Sequence, residues 1–292
     1  MTITQKIERY NSARLLGKAN TGSATWLKWR KEGITGSDIS AVTGLNPWKS
    51  CLTLFYEKTG QLQEQEATTR MMLGNYLEEG IAALFQDLNP NLKVHRDLGT
   101  WAKIDAPVYR ANPDGVIEDQ LGNLSILEIK HTSQYWTEVP VHYQLQVMWY
   151  QYVLGLTQTP ATLVAVTGGD LKQFVVEYDE SLMTKALEAV EVFLGLLAID
   201  VAPDWDGSNS TYETVRELSP DLIEGSKEIT CGTELLAAKA IFDTAEENLN
   251  KYKSQALAEL GGTKVGTWGG IEIVRLGQRG TGKPFLTFTK GN

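Results

Sequence analysis

The stretch ANPDGVIEDQLGNLSILEIKH, residues 111–131, constrains this chain more than any other. It reads as two strands joined by a glycine-containing turn. The second is apolar at Leu124, Ile126, Leu127 and Ile129, yet it ends in Glu128 and Lys130, with Asp114 one strand earlier. Side chains alternate along a strand, so Glu128 and Lys130 share one face while Ile129 points to the other. Charges converging at strand ends are costly to desolvate unless a partner neutralises them. A divalent metal and a phosphate would be such partners. Asp114 and Glu128 supply hard oxygen ligands, the Ile129 carbonyl lies between Glu128 and Lys130 to supply another, and the Lys130 ammonium can orient or help deprotonate an attacking water.

A third carboxylate comes from RMMLGNYLEEGIAALFQDLNP, where Leu77, Ile81, Leu84, Phe85 and Leu88 recur at helical spacing and Asn89-Pro90 ends the helix. Glu78 shares a sector with Ile81, Ala82 and Phe85, whereas Glu79 meets Ala82, Ala83 and Gln86, so helical phase turns Glu78 inward. In PVHYQLQVMWYQYVLG, Gln144 and Gln146 sit in a nearly all-apolar helix. A buried amide needs partners, and either could hold a water or a phosphate oxygen beside the carboxylates.

The remaining pattern is a mixed sheet flanked by helices, an α/β (α+β) chain. Residues 1–32 predict helical segments, GITGSDISAVTGLNPWKS a short helix starting near Ser37, and CLTLFYEKTG a helix closed by Gly60. The polar LQEQEATT predicts a mobile connection. Strands are expected near 92–99, 107–111, 114–118 and 124–130, then a helix through HYQLQVMWYQYVLG, strands near 161–167 and 172–178, and a helix over 180–198. DVAPDWDGSNST clusters turn formers and marks the best linker, dividing the chain into a core, 1–205, and an extension, 206–292. The extension is expected to hold a long charged helix near 232–259 and a hairpin of two Gly-rich strands, KVGTWGGIEIVRL and KPFLTFTK.

With 292 residues and 42% hydrophobic content the chain can bury a substantial core. Its apolar runs are broken by Glu and fall short of a membrane span, and MTITQKIERY lacks the pattern of a signal peptide, so the expectation is a cytoplasmic protein with no membrane association. Cys51 and Cys231 supply neither a disulfide framework nor a zinc pair and read as small buried hydrophobes. A net charge of −9 argues against a protein that coats nucleic acid through a uniformly basic surface. It leaves room for a nuclease, whose metal-site carboxylates count against the sum, and for a local basic strip at Lys28, Arg30 and Lys31.

Five segments in order, GITGSDISAVTGLNPWKS, GNYLEE, NPDG, LEIK and VPVHYQLQ, within about residues 26–180, closely resemble the YqaJ-type phage recombination exonucleases. That is the group of lambda exonuclease within the PD-(D/E)xK nuclease superfamily. The resemblance implies a restriction-endonuclease-like core with a central mixed sheet and a Mg²⁺- or Mn²⁺-dependent exonuclease. Such an enzyme digests one strand of linear duplex DNA from its 5′ end and leaves a 3′ overhang for a single-strand annealing protein. It places the catalytic centre at Glu78, Asp114, Glu128 and Lys130, with Gln144 as the first Gln of the QxQ helix. It also implies a site for the terminal 5′ phosphate at Arg30 and Ser37, seven residues apart in RKEGITGS. Physical chemistry agrees, because Arg can fork two hydrogen bonds onto phosphate and a Ser at a helix N-terminus adds a hydroxyl to free N–H groups. Family members suggest a homo-oligomer, a ring-shaped trimer. The other readings are a structure-specific endonuclease on the same core and a non-catalytic DNA-end-binding scaffold. The intact acidic set and Lys130 argue against the scaffold.

Overall fold

The computed structural model of the chain describes residues 1–62 and 68–289. It begins with α1 (Ile3–Glu8), β1 (Ala13–Gly17), α2 (Ala24–Glu32), α3 (Gly36–Val42), α4 (Cys51–Thr59) and α5 (Thr69–Leu88). Next come β2 (Lys93–His95), β3 (Thr100–Lys103), β4 (Arg110–Ala111), β5 (Gly115–Glu118), β6 (Leu124–Thr132), α6 (Val141–Leu154), β7 (Ala161–Thr167), β8 (Asp170–Val176), α7 (Glu180–Ala198) and α8 (Asn209–Glu217). The chain closes with α9 (Gly232–Leu260), β9 (Val265–Trp268), β10 (Ile271–Gly277) and β11 (Phe285–Phe288). Residues 63–67, in the stretch expected to be a mobile connection, and Lys290, the end of the last predicted strand, lie outside the described residues.

The central sheet has five strands in the order β2-β5-β6-β7-β8, and only β6 and β7 pair in parallel. A parallel neighbour needs a crossover, which is α6. Its two faces meet different helices because β6 alternates. Leu124 and Ile126 join the main core with Leu145, Val153 and Phe193 of α6 and α7, while Leu127 and Ile129 pack with Ile81, Ala82 and Phe85 of α5. Burial on α5 is therefore narrower than its apolar spacing predicts. Leu77, Leu84 and Leu88 are exposed because the sheet covers only one stripe of the helix.

Several expectations need correction. Residues 13–17 are a strand, and β3 lies between two expected strands; β1 and β3 pair antiparallel across some ninety residues in a second sheet, β1-β3-β4. Such a pairing leaves no local signal. The α3 N-cap is Thr35, with Asp38 completing a capping box, so Ser37 sits inside the first turn. Cys51 is half-buried and Cys231 exposed, against the expectation that both are buried.

The chain divides into two compact units, Met1–Pro220 and Asp221–Asn292. The expected boundary at 205 falls too early because α8 packs on α4. Thr53 Oγ1 bonds Ser210 Oγ at 2.7 Å and Thr214 Oγ1 at 2.8 Å. In the second unit, the expected two strands are three. Gly269 and Gly270 hold φ of 58° and 82° and turn Trp268 back onto Ile271, the two-residue hairpin geometry that glycine favours. Among the described residues, no helix is long and apolar enough to cross a membrane.

Candidate active site

The site forms where β5 and β6 run side by side under the first turns of α6. Gly115 pairs with Leu127, so Asp114, immediately before β5, comes level with Glu128 midway along β6. Its Oδ2 accepts a hydrogen bond from Ile129 N at 2.7 Å. Glu128 is almost fully buried, 1% exposed, and its Oε1 accepts from Lys130 Nζ at 2.6 Å and from Gln146 Nε2 at 2.8 Å. Its other oxygen, Oε2, is buried with no hydrogen-bond partner. A buried carboxylate oxygen left unpaired is costly, and a cation at that point would offset the cost.

The electrostatics follow from crowding. Burial, then the neighbouring Glu128, pushes the Asp114 carboxyl up to about 7. Burial also raises Glu128, against the pull of Lys130, and Glu78 beside it adds to the rise. Burial alone would lower the Lys130 ammonium, but Glu128 and Asp114 outweigh it and hold the proton on firmly. Lys130 is thus held protonated by its two carboxylate neighbours.

Glu78 projects from α5 toward the same cluster, as helical phase predicts. Its side chain is 28% exposed against 78% for Glu79. Burial and the negative charge of Asp114 raise its carboxyl despite a close ion pair with Arg96, which also meets Glu79 at 3.2 Å. Among the described residues, no three acidic, His or Cys side chains are gathered closely enough to hold a metal as they stand. Asp114 and Glu128 offer the oxygen donors a hard cation takes; Glu78 would join them by exchanging Arg96 for the ion. Arg96 had no sequence signal, since it lies just beyond β2 and is recruited only by the fold.

The two glutamines separate. Gln144, assigned from the QxQ motif, donates to the Val139 carbonyl at 2.6 Å at the start of α6, whereas Gln146 reaches Glu128 and also donates to Tyr150 Oη at 3.0 Å. Position 146 is therefore the site amide, and Tyr150 is a buried participant that sequence reasoning missed. Its spacing of i+4 from Gln146 on one helix face was the available signal.

Arg30 and Ser37 are brought together. Arg30 Nη1 donates to Ser37 Oγ at 3.1 Å, and Ser37 Oγ lies 2.9 Å from Thr35 Oγ1. Beneath them Asp38 is buried, and burial pushes its carboxyl up; Lys58 and Arg30 more than reverse this and hold it at about 2. Lys58 spends its three protons on the Arg30 and Gly33 carbonyls and on Asp38 at 2.5, 2.7 and 2.8 Å, locking the end of α2 to α3. The Tyr150 ring lies against Gly36, where a Cβ would come within 2.7 Å of its Cζ, and so links this pocket to the carboxylates through Gln146.

Residues 25–160 match the model of the YqaJ-like viral recombinase domain. The chain is 32% identical over 202 residues to the uncharacterized protein YqaJ of Bacillus subtilis (strain 168), covering 66% of this chain and 62% of that protein. The chain thus spans less than two thirds of the length of that relative. Among solved structures, an alkaline exonuclease (LHK-Exo) from Laribacter hongkongensis superposes with a TM-score of 0.50 at 18% identity, covering 68% of this chain and all of that one. At that identity the likeness speaks for the fold alone, a mixed sheet flanked by helices. The similarity to the YqaJ-like viral recombinase domain thus lies over residues 25–160, the stretch that holds the residues of this site.

Proposed function

We propose that this protein is a metal-dependent exonuclease that degrades one strand of linear duplex DNA in the 5′-to-3′ direction. The 3′ overhang it leaves would be the substrate of a single-strand annealing protein. The observation that carries this reading is the cluster of buried Glu128 with half-buried Asp114 and Lys130, joined through Gln146 and Tyr150 to the Arg30 and Ser37 pair. Gln146 at the carboxylates and Tyr150 at the Arg30 and Ser37 pair stand at two levels of one helix, α6, an arrangement suited to cleavage near a DNA end.

Asp114 and Glu128, with Glu78 and the Ile129 carbonyl, would hold Mg²⁺ or Mn²⁺. A divalent ion there supplies Lewis acidity toward the phosphate and lowers the pKa of a bound water. Lys130, kept protonated by its carboxylates, would donate to the attacking water or to a phosphate oxygen. Gln146 holds Glu128 from the helix side and fixes which of its oxygens is free. Arg30 and the Ser37 hydroxyl would clasp the terminal 5′ phosphate and set the cut one nucleotide away.

The test is incubation of linear and closed circular duplex with Mg²⁺ and with EDTA. Linear DNA alone should be consumed, and only with metal; cleavage of the circle would favour the endonuclease reading. A 5′ phosphate should be degraded about ten- to a hundredfold faster than a 5′ hydroxyl, since a desolvated charge-assisted pair is worth about 1.5–3 kcal/mol. Arg30→Ala should erase that preference and leave a slower, phosphate-indifferent activity. The ring-shaped trimer implied by the resemblance predicts a threefold mass by light scattering.

A further inference from the structure

The N-terminal end of α6 carries an aromatic path out of the site. Lys130 Nζ lies 4.9 Å from the centroid of the Tyr143 ring. Tyr143 lies 4.2 Å from His142, and Trp48 meets His142 edge-on at 5.0 Å and Tyr143 at 6.3 Å. The Trp48 side of this path faces solvent, for Trp48 is 65% exposed. Its position is nonetheless held. Asn46 Oδ1 accepts from Trp48 N and Lys49 N at 2.8 and 2.9 Å, while Asn46 Nδ2 donates to the buried Ser40 at 2.9 Å. A large aromatic ring fixed by its backbone but left open to water is preorganised for a flat apolar partner, and nucleobases stack on such rings with little sequence preference.

The level of the ring on α6 indicates which base. From Tyr143 to Tyr150 the helix rises about 10 Å. Tyr150 leads to Gly36 and the Arg30 and Ser37 pocket, Gln146 stands at Glu128, and Tyr143 leads to Trp48. A strand with its terminal phosphate at Arg30 and its first linkage at Glu128 and Lys130 therefore continues toward Tyr143 and Trp48. We propose that Trp48 is a positioning residue of the exonuclease, stacking on the base of the second nucleotide from the 5′ end and so holding the first linkage over the carboxylates. This rests on the exonuclease reading above.

The experiment places 2-aminopurine at the second nucleotide of a 5′-phosphorylated duplex, or ten nucleotides in as a control. The full-length protein is added with Ca²⁺, and the DNA is checked intact on a gel. Quenching severalfold beyond that of free duplex is expected at the second position alone, kept in Trp48→Phe and lost in Trp48→Ala. In Mg²⁺, Trp48→Ala should raise KM roughly tenfold with little change in kcat. An abasic second nucleotide should do the same to the unmutated protein and add nothing in the variant. Unchanged quenching in Trp48→Ala, or additive effects of the abasic site and the variant, overturns the stacking role while duplex digestion by the unmutated protein keeps the exonuclease reading. No digestion of linear duplex by the unmutated protein overturns both.

Discussion

Asp114 and Glu128 are held in an uncomfortable state that a cation would relieve. Because burial and Glu128 raise the Asp114 carboxyl to about 7, from an ordinary 3.8, the folded metal-free protein binds that proton more tightly than the unfolded chain does. Its contribution to stability is therefore largest below pH 3.8 and shrinks as pH rises toward about 7. In EDTA, melting temperature should fall as pH rises from about 4 to about 7 and level off above that. Asp114→Asn should flatten that fall and, in Mg²⁺, reduce hydrolysis to background; a steep fall retained in the variant would sink the assignment. Asp38 behaves oppositely and in a separate window, since its stabilisation is lost only as pH drops from 3.8 toward about 2. Lys130→Ala should leave DNA affinity largely intact and cut turnover by roughly 10²-fold or more, the scale of lost proton-transfer or electrostatic assistance. Loss of binding with unchanged turnover of bound DNA would instead make it a phosphate anchor. The residues of this centre on β6 and its flank were legible because strand alternation and charge cost act locally. Arg96 and Tyr150 were not, since their partners come from distant segments.

At the scale of elements, α6 organises the site. Gln144 and Gln146 are indistinguishable as residue types in an apolar helix, and only the seating of α6 on β6 turns Gln146 onto Glu128 and leaves Gln144 to the Val139 carbonyl. That seating depends on a close approach between α3 and α6 at Gly36. A methyl there would press into the buried Tyr150 ring, so Gly36→Ala should destabilise the fold by about 1–3 kcal/mol, read as a lower melting temperature. It should also reduce activity by shifting Gln146. A variant that melts and cuts like the unmutated protein would show that the contact relaxes freely and does not transmit to Glu128.

At the scale of the molecule, the first unit ends after α8. Ser50 and Thr53 are buried, and their partners Ser210 and Thr214 lie beyond the expected boundary at 205. A chain ending at Pro220 should therefore fold with a melting temperature close to that of its unit in the full protein. One ending at 205 should lose several degrees or become insoluble, because each buried hydroxyl left unpaired costs about 1–3 kcal/mol. Equal melting of the two truncations would restore the earlier boundary.

The amino-acid sequence by itself determined the long helices, the strands β5 to β8, the position of Asp114, Glu128 and Lys130 on them, and the inward turn of Glu78. Each of these follows from a period, a turn residue or a cost of burial that operates within some twenty residues. The tertiary structure decided what depends on contacts between distant segments. Strand β1 exists because β3 pairs with it, and α8 belongs to the first unit because Ser210 and Thr214 meet α4. Gln146 rather than Gln144 meets Glu128 because of how α6 seats against β6. Side-chain type sets what a residue can do, but the orientation of one helix on another is fixed by packing of the whole core, which no local stretch of sequence encodes.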